Sequence, residues 1–157
     1  MFLQKLLSMK KTQIPLYIPG GLSIDARGKF GYVNDLKFAS IKRFYIVSNH
    51  QAGRVRAWHA HKYESKYVFA VTGHALIGAV AIDDWKTPSK AATIHKFVLS
   101  EEKPGILFIP PGFANGFMSL TANTKSLFFS NRTFEQSKKD DIRYDSRYWD
   151  IWDVKEY

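Results

Sequence analysis

The 157-residue sequence contains no cysteine. Disulfide bonds and thiolate metal sites are therefore excluded, and a reducing compartment is the expected setting. No apolar run approaches the roughly 20 residues that a membrane-spanning helix needs. The apolar start of the chain, residues 1–13, is interrupted by Gln4 and Lys5 and lacks a small-residue cleavage site, which is not typical of a signal peptide. We therefore expect a cytoplasmic protein with no membrane partner.

Signatures of nucleic-acid binding are also missing. The formal net charge of +9 attracts anions, but the lysines and arginines are spread along the chain. There is no basic run, no helix-turn-helix pattern and no zinc-finger spacing. The charge therefore favours a phosphorylated small molecule over a nucleic acid as the partner.

Short strands dominate what is present. Segments rich in Val, Ile, Phe and Tyr are separated by turn signals such as Pro110-Pro111-Gly112. Many short strands at near-regular spacing indicate an all-β sandwich or barrel. The predicted strands are Arg43–Val47, Ser65–Thr72, Ala75–Ile82, Thr93–Leu99, Ile106–Ile109 and Lys125–Ser130.

No linker or repeat divides the sequence, which predicts a single domain over residues 1–157. Residues 1–20 are expected to form an N-terminal extension, and residues 134–157 a C-terminal tail with a short helix or turn. Trp149 and Trp152 make this tail too aromatic to be left in water, so it should pack on the barrel or on a second subunit. The exposed edges of an all-β fold favour self-pairing, and we expect a homodimer.

The segment RAWHAHK places His59 and His61 on one face of a presumed strand, because side chains two residues apart point the same way. Such a pair inside a barrel is half of a cupin metal site. The remaining ligand positions are occupied by Lys66 and Asn115, and an ammonium repels a divalent cation. We therefore predict no metal. Regular alternation would place Glu64 on the opposite face, and a hydrogen-bonded structural role is the alternative for both histidines.

Without a metal, the segment predicts an imidazole in an electropositive cavity with Arg56, Lys66, Arg43 and Arg27 around it. Nearby cations favour neutral histidine, the form that acts as a general base, and they would also hold a phosphate or diphosphate. Strict alternation places Arg56 on the face opposite His59. The two side chains share a site only if the strand bends or bulges between them.

The chain resembles the nucleotide-sugar cupins typified by dTDP-4-dehydrorhamnose 3,5-epimerase, from about residue 22 to residue 152. The matching segments are IDARGKF (24–30), RAWH (56–59), AVAIDDWKTPS (79–89), VLS (98–100), IPPGFANGF (109–117) and DDIRYD (140–145). RAWHAHK is also similar to the histidine segment of the dTDP-4-keto-6-deoxyhexose 3,4-ketoisomerases. Members of both families act without metal or cofactor on 4-keto-6-deoxy sugars linked to a nucleoside diphosphate.

This resemblance implies a cupin jelly roll that binds a nucleoside-diphosphate sugar in deoxysugar and cell-surface polysaccharide synthesis. His59 would be the base that removes a proton alpha to the keto group. The candidate catalytic residues are His59, His61 and Lys66, and the candidate substrate-binding residues are Arg27, Arg56, Asn49, Asn115 and Tyr45. No cofactor is expected.

Three departures from the epimerase pattern leave the reaction open. Phe128 or Phe129 stands where the family has the tyrosine that acts as the acid, Asn115 replaces a histidine, and the late acidic segment that orients the base has no counterpart. Tyr45, Tyr67 or water could supply the acid. Otherwise the protein is a ketoisomerase, in which one base moves a proton along a single face, or it binds the sugar nucleotide without turnover.

Overall fold

The computed structural model describes residues 13–38 and 40–153, and these residues form an all-β structure, as predicted. The strands are β1 (Leu16–Pro19), β2 (Gly21–Asp25), β3 (Gly28–Tyr32), β4 (Arg43–Asn49), β5 (Val55–His61), β6 (Lys66–Thr72), β7 (His74–Ala81), β8 (Ile94–Ser100), β9 (Gly105–Ile109), β10 (Phe113–Ser119), β11 (Thr124–Ser130) and β12 (Ile142–Arg143). One helix, α1 (Phe134–Lys139), lies among the described residues. All six predicted strands occur, with ends within two residues of the prediction.

Two antiparallel five-stranded sheets form the body of the molecule. The first has the order β1-β9-β6-β11-β4 and the second the order β12-β5-β10-β7-β8. Their facing sides bury an apolar core that includes Val68, Ile77, Leu107 and Phe128. The alternation of side chains along each strand sends these residues inward.

The C-terminal tail covers the outer face of the second sheet. Trp58 on β5 points to that face and is fully buried, since its ring meets Trp149 and Trp152 at centroid distances of 5.5 and 5.1 Å. Gly78 on β7 makes room for this stack, because a Cβ there would lie 2.6 Å from the Trp58 ring. The tail therefore packs on its own barrel.

Only residues 13–20 of the predicted N-terminal extension belong to the described part of the chain. Residues 1–12 lie outside the described part of the chain, whereas β1 pairs with β9 as an edge strand of the first sheet. Strands β2 and β3 form a separate hairpin whose side chains are mostly exposed. No helix among the described residues is long and apolar enough to cross a membrane.

Candidate active site

A cavity with two adjoining compartments, of about 320 and about 200 Å³, opens between the sheets. Tyr45, His59 and Lys66 line both compartments. Charged and polar groups dominate the rest of the larger one, which is lined by Arg43, His61, Glu64, Phe134, Ser137, Lys138, Asp141 and Arg143. The smaller one is lined by Val47, Arg56, Asn115, Phe117 and Phe128. Together they have the size of a small-molecule site.

A β-bulge brings Arg56 and His59 to the same cavity. Asn115 on β10 is opposite His59, but two residues further along β10, Phe117 is opposite Arg56, three residues away on β5. The extra residue on β5 shifts the alternation of side chains. Arg56 and His59 therefore both face inward, although residues three positions apart on a regular strand point to opposite faces. The bulge that this pairing needs is therefore present.

His59 forms a pair with Asp141, a residue that the sequence analysis did not assign to the site. The imidazole Nδ1 lies 3.4 Å from Oδ1 of Asp141, and Arg143 Nε donates to Oδ2 at 2.9 Å. With Nδ1 engaged, Nε2 is the nitrogen left to accept a proton. Burial, opposed by Asp141 and reinforced by Lys66 and Arg143, holds the pKa of His59 below its ordinary value, which keeps the ring neutral at pH 7.

Strand β12 explains how Asp141 reaches His59. Arg143 pairs with His59, and Ile142 with Ala60, so the chain after α1 runs antiparallel to the end of β5. The structure thus gives His59 a carboxylate partner that was not expected from the sequence. Burial opposes ionisation of Asp141, but the hydrogen bond from Arg143 and the contact with His59 outweigh it and lower the pKa of this carboxyl.

Lys66 and His61 form a second polar cluster beside His59. The Lys66 ammonium lies 3.0 Å from His61 Nε2, and His61 Nδ1 donates to the Asp140 carbonyl at 2.8 Å. The ammonium therefore donates to the nitrogen through which His61 would bind a metal ion. With both ring nitrogens engaged, His61 holds Lys66 in position and is less free than His59 to take a proton.

The prediction that Glu64 faces away from the histidines is wrong. Strand β5 ends at His61, and the following turn closes around Asp140, whose carboxylate accepts the backbone amides of Lys62, Tyr63 and Glu64. This turn breaks the alternation of the strand. The Glu64 carboxylate therefore faces the histidine side, where its Oε2 lies 3.1 Å from His61 Nδ1 and 4.0 Å from Lys66 Nζ.

The two candidate asparagines hold other parts of the site in place. Asn49 is 4% exposed, and its Oδ1 accepts from Arg56 Nε at 2.9 Å, so it contacts the cavity only through that guanidinium. Asn115 lines the smaller compartment and donates from Nδ2 to the His59 carbonyl at 3.1 Å.

Arg27 lies outside this cavity. It stands at the turn between β2 and β3, with its side chain 91% exposed and its guanidinium bound to Asp25. The β2–β3 hairpin does not pair with either main sheet. A sequence motif gives only the order of residues along the chain, so it could not show that Arg27 lies apart from the cavity.

The alternation of side chains along β4, β6 and β11 places some aromatic residues in the cavity and others on the outer side of the first sheet. Phe128 faces the cavity, whereas Phe129 points to the outer side of the first sheet, where its ring meets Phe38. Tyr67 is on that outer side too, with its ring 5.2 Å from Phe38. Of the two tyrosines considered as acids, only Tyr45 reaches the cavity.

The comparison with family models shows to which family the chain belongs. Residues 25–155, most of the chain, match the model of dTDP-4-dehydrorhamnose 3,5-epimerase. The chain belongs to this family. The predicted family and the predicted cupin fold are both confirmed. No curated protein sequence matches the chain significantly.

Solved structures of epimerases and ketoisomerases share the fold. The dTDP-4-dehydrorhamnose 3,5-epimerase of Sulfolobus tokodaii is 27% identical, with a TM-score of 0.70 over 90% of this chain and 82% of that one. The epimerase of Bacillus anthracis, with TDP and PPi bound, is 20% identical, with a TM-score of 0.73 over 90% and 86%. The 3,4-ketoisomerase QdtA of Thermoanaerobacterium thermosaccharolyticum, in complex with TDP, is 19% identical, with a TM-score of 0.65 over 88% and 93%.

Replacing Asp141 with asparagine should separate its electrostatic effect on His59 from a packing role. We expect kcat/KM to fall by about fivefold, because a partly exposed pair contributes up to about 1 kcal/mol. The carboxylate raises the pKa of His59, so its loss lowers that pKa and should move the acidic limb of the pH profile to lower pH. A profile of kcat/KM against pH measures both effects, and an unmoved limb would leave Asp141 with a structural role only.

Proposed function

We propose that the protein is a metal-independent epimerase that acts on a dTDP-linked 4-keto-6-deoxy sugar, with His59 as the base. Membership of the dTDP-4-dehydrorhamnose 3,5-epimerase family gives the reaction class. The observation that carries the assignment of the base is the cavity in which the His59–Asp141 pair lies next to the Lys66 ammonium.

The chemistry follows from the acidity of protons alpha to a ketone. His59 Nε2 takes such a proton, and the electron pair of the broken C–H bond forms an enolate whose negative charge develops on the keto oxygen. The buried Lys66 ammonium is the cation best placed to stabilise that charge, and it acts strongly because water is largely excluded around it. Asp141 stabilises the imidazolium that forms.

The remaining cations would hold the diphosphate. Arg56 lines the smaller compartment, and Arg143 and Lys138 line the larger one. Guanidinium groups bind phosphate oxygens in bidentate fashion. The TDP bound to the Bacillus anthracis epimerase and to QdtA supports dTDP as the nucleotide.

Solvent isotope exchange tests the proposal directly. The protein is incubated in heavy water with dTDP-4-keto-6-deoxyglucose, and deuterium at C3 and C5 is followed by NMR or mass spectrometry. We expect exchange together with inversion at one or both centres. Binding of the sugar nucleotide, seen as thermal stabilisation, without any exchange would overturn the catalytic assignment.

A 3,4-ketoisomerase is the second candidate, favoured by one specific observation. The paired histidines of RAWHAHK both line the larger compartment, and moving a proton between neighbouring carbons of one face needs no acid on the other face. The product distinguishes the candidates, since an isomerase moves the carbonyl from C4 to C3 and inverts no centre.

A homodimer is also part of the proposal. Phe44 and Ile46 are 65% and 57% exposed on the edge strand β4 of the first sheet, and apolar surface of this kind is typical of a protein interface. A second copy could bring the exposed Arg27 to a cavity that its own chain does not let it reach. Sedimentation should give the mass of two chains for the parent protein, and Phe44→Asp should shift it to that of one chain. A parent protein that sediments as a single chain would refute the dimer.

The cytoplasmic location and the role in polysaccharide synthesis stay predictions from the sequence. Cell fractionation tests the first, and the glycan profile of a deletion strain tests the second.

A further inference from the structure

Inversion of a carbon centre needs two groups on opposite sides of the sugar. One removes a proton from one face, and the other delivers a proton to the opposite face of the enolate. His59 lies on β5 of the second sheet, so the donor should come from the first sheet, across the cavity. The side chains of the first sheet that face the cavity include Arg43, Tyr45, Lys66 and Phe128.

Tyr45 is the tyrosine that meets this requirement. Among the residues that the structure describes, no other tyrosine lines either compartment, and Tyr45 lines both. It is paired in register with Phe128 on the neighbouring strand β11. The two rings stack almost parallel, with an interplanar angle of 4° and centroids 5.1 Å apart. A phenol on β4 thus stands beside the phenyl ring on β11.

We propose that Tyr45 is the catalytic acid of the epimerisation, delivering its phenolic proton from the first sheet to the face of the enolate opposite His59. The inference rests on the proposed epimerase function and assigns the partner of its base. It places the acid one strand away from Phe128, which carries no ionisable group.

The proton and electron balance of this step is simple. His59 takes the proton from one face of the carbon, and the C–H electron pair enters the enolate. That pair then forms the new C–H bond with the proton of the Tyr45 hydroxyl, which leaves a phenolate and an imidazolium. Solvent water reprotonates the phenolate and removes the proton from the imidazolium, so no oxidant or other reactant is needed.

The surroundings of Tyr45 suit a donor that must be protonated before the reaction. Burial, reinforced by the nearby Glu64 carboxylate, raises the pKa of its hydroxyl above the ordinary value, which keeps the phenol intact at pH 7. The Arg43 guanidinium lies 4.8 Å from the ring centroid and would stabilise the phenolate formed after transfer.

Replacing Tyr45 with phenylalanine removes one oxygen and separates exchange from inversion. In heavy water with dTDP-4-keto-6-deoxyglucose, we expect Tyr45→Phe to keep deuterium exchange within about tenfold of the parent rate, because His59 can abstract and return a proton on one face. Inversion should fall by roughly 10²-fold or more, the usual contribution of a positioned acid. Tyr67→Phe, on the outer side of the same sheet, is the matched control and should change neither rate.

A second variant guards against a simple packing defect. Tyr45→Phe combined with Phe128→Tyr returns a phenol to the same stacked pair from β11, and we expect it to recover at least part of the inversion rate. Inversion at the parent rate in Tyr45→Phe would overturn the assignment of the acid while leaving the epimerase function intact. Absence of exchange in the parent protein would overturn the proposed function itself, and exchange without inversion in the parent would overturn the need for Tyr45.

Discussion

Replacing His59 with glutamine is expected to lower the rate of deuterium exchange by roughly 10²–10⁴-fold, the contribution of a positioned general base. Glutamine keeps a polar side chain of similar length at this position of β5, but its amide cannot take a proton. Affinity for dTDP should change little, because the cations that would hold the diphosphate, such as Arg56, are untouched. The loss should therefore appear in turnover, with KM nearly constant.

The pH dependence of the parent enzyme follows from the same residue. A base works only when neutral, so kcat/KM falls as the pH drops through the pKa of His59. Burial lowers that pKa below its ordinary value of 6.5, and the acidic limb should accordingly lie below pH 6.5. His74→Gln, remote from the cavity, is the control and should leave rate and profile unchanged. Exchange within tenfold of the parent in His59→Gln would assign the base elsewhere.

The sequence predicted the fold best where an apolar segment is bounded by marked turns. The segments that became β4, β6, β7, β8, β9 and β11 carry apolar residues bounded by glycine, proline or charge, and their ends are correct within two residues. Strand β10 is fully buried in the middle of the second sheet, yet its Asn115-Gly116 pair is typical of a turn. Pairing on both sides, by β5 and β7, overrides that local preference.

The candidate site could be predicted only as far as local periodicity extends. His59, His61 and Lys66 were found because alternation and motif agree, and the structure brings them together. The bulge that turns Arg56 inward and the turn that returns Glu64 depend on contacts with β10 and with Asp140, about 60 and 76 residues away respectively. Asp141 was missed for the same reason, since only the pairing of β12 with β5 places it beside the base. DDIRYD, the segment that contains it, was the one available signal.

Replacing Glu64 with alanine is expected to destabilise the protein by about 3–5 kcal/mol, the usual cost of removing one partner from a buried ion pair. Glu64 is 3% exposed, and its Oε1 accepts from the hydroxyls of Ser130 and Ser137. Its carboxylate neutralises Lys66, which is 7% exposed. Without it, the ammonium is left in the interior with only the more distant carboxylates of Asp140 and Asp141 to compensate its charge.

The pH dependence of that loss has a defined sign. Burial lowers the pKa of Lys66, and Glu64 opposes this effect, so Glu64→Ala lowers it further. The folded variant then binds fewer protons than the unfolded chain at alkaline pH, and its free energy of unfolding should rise with pH there. The double variant Glu64→Ala with Lys66→Met removes both charges and should be more stable than Glu64→Ala alone. Urea unfolding of the parent, the two single variants and the double variant forms the double-mutant cycle that measures this difference. Glu102→Ala, on the surface, should stay within about 0.5 kcal/mol of the parent. A Glu64→Ala variant within about 1 kcal/mol of the parent at pH 7 would mean that Glu64 does not stabilise a charged Lys66 in the parent, and the proposed role of this ammonium at the enolate would then lose its support.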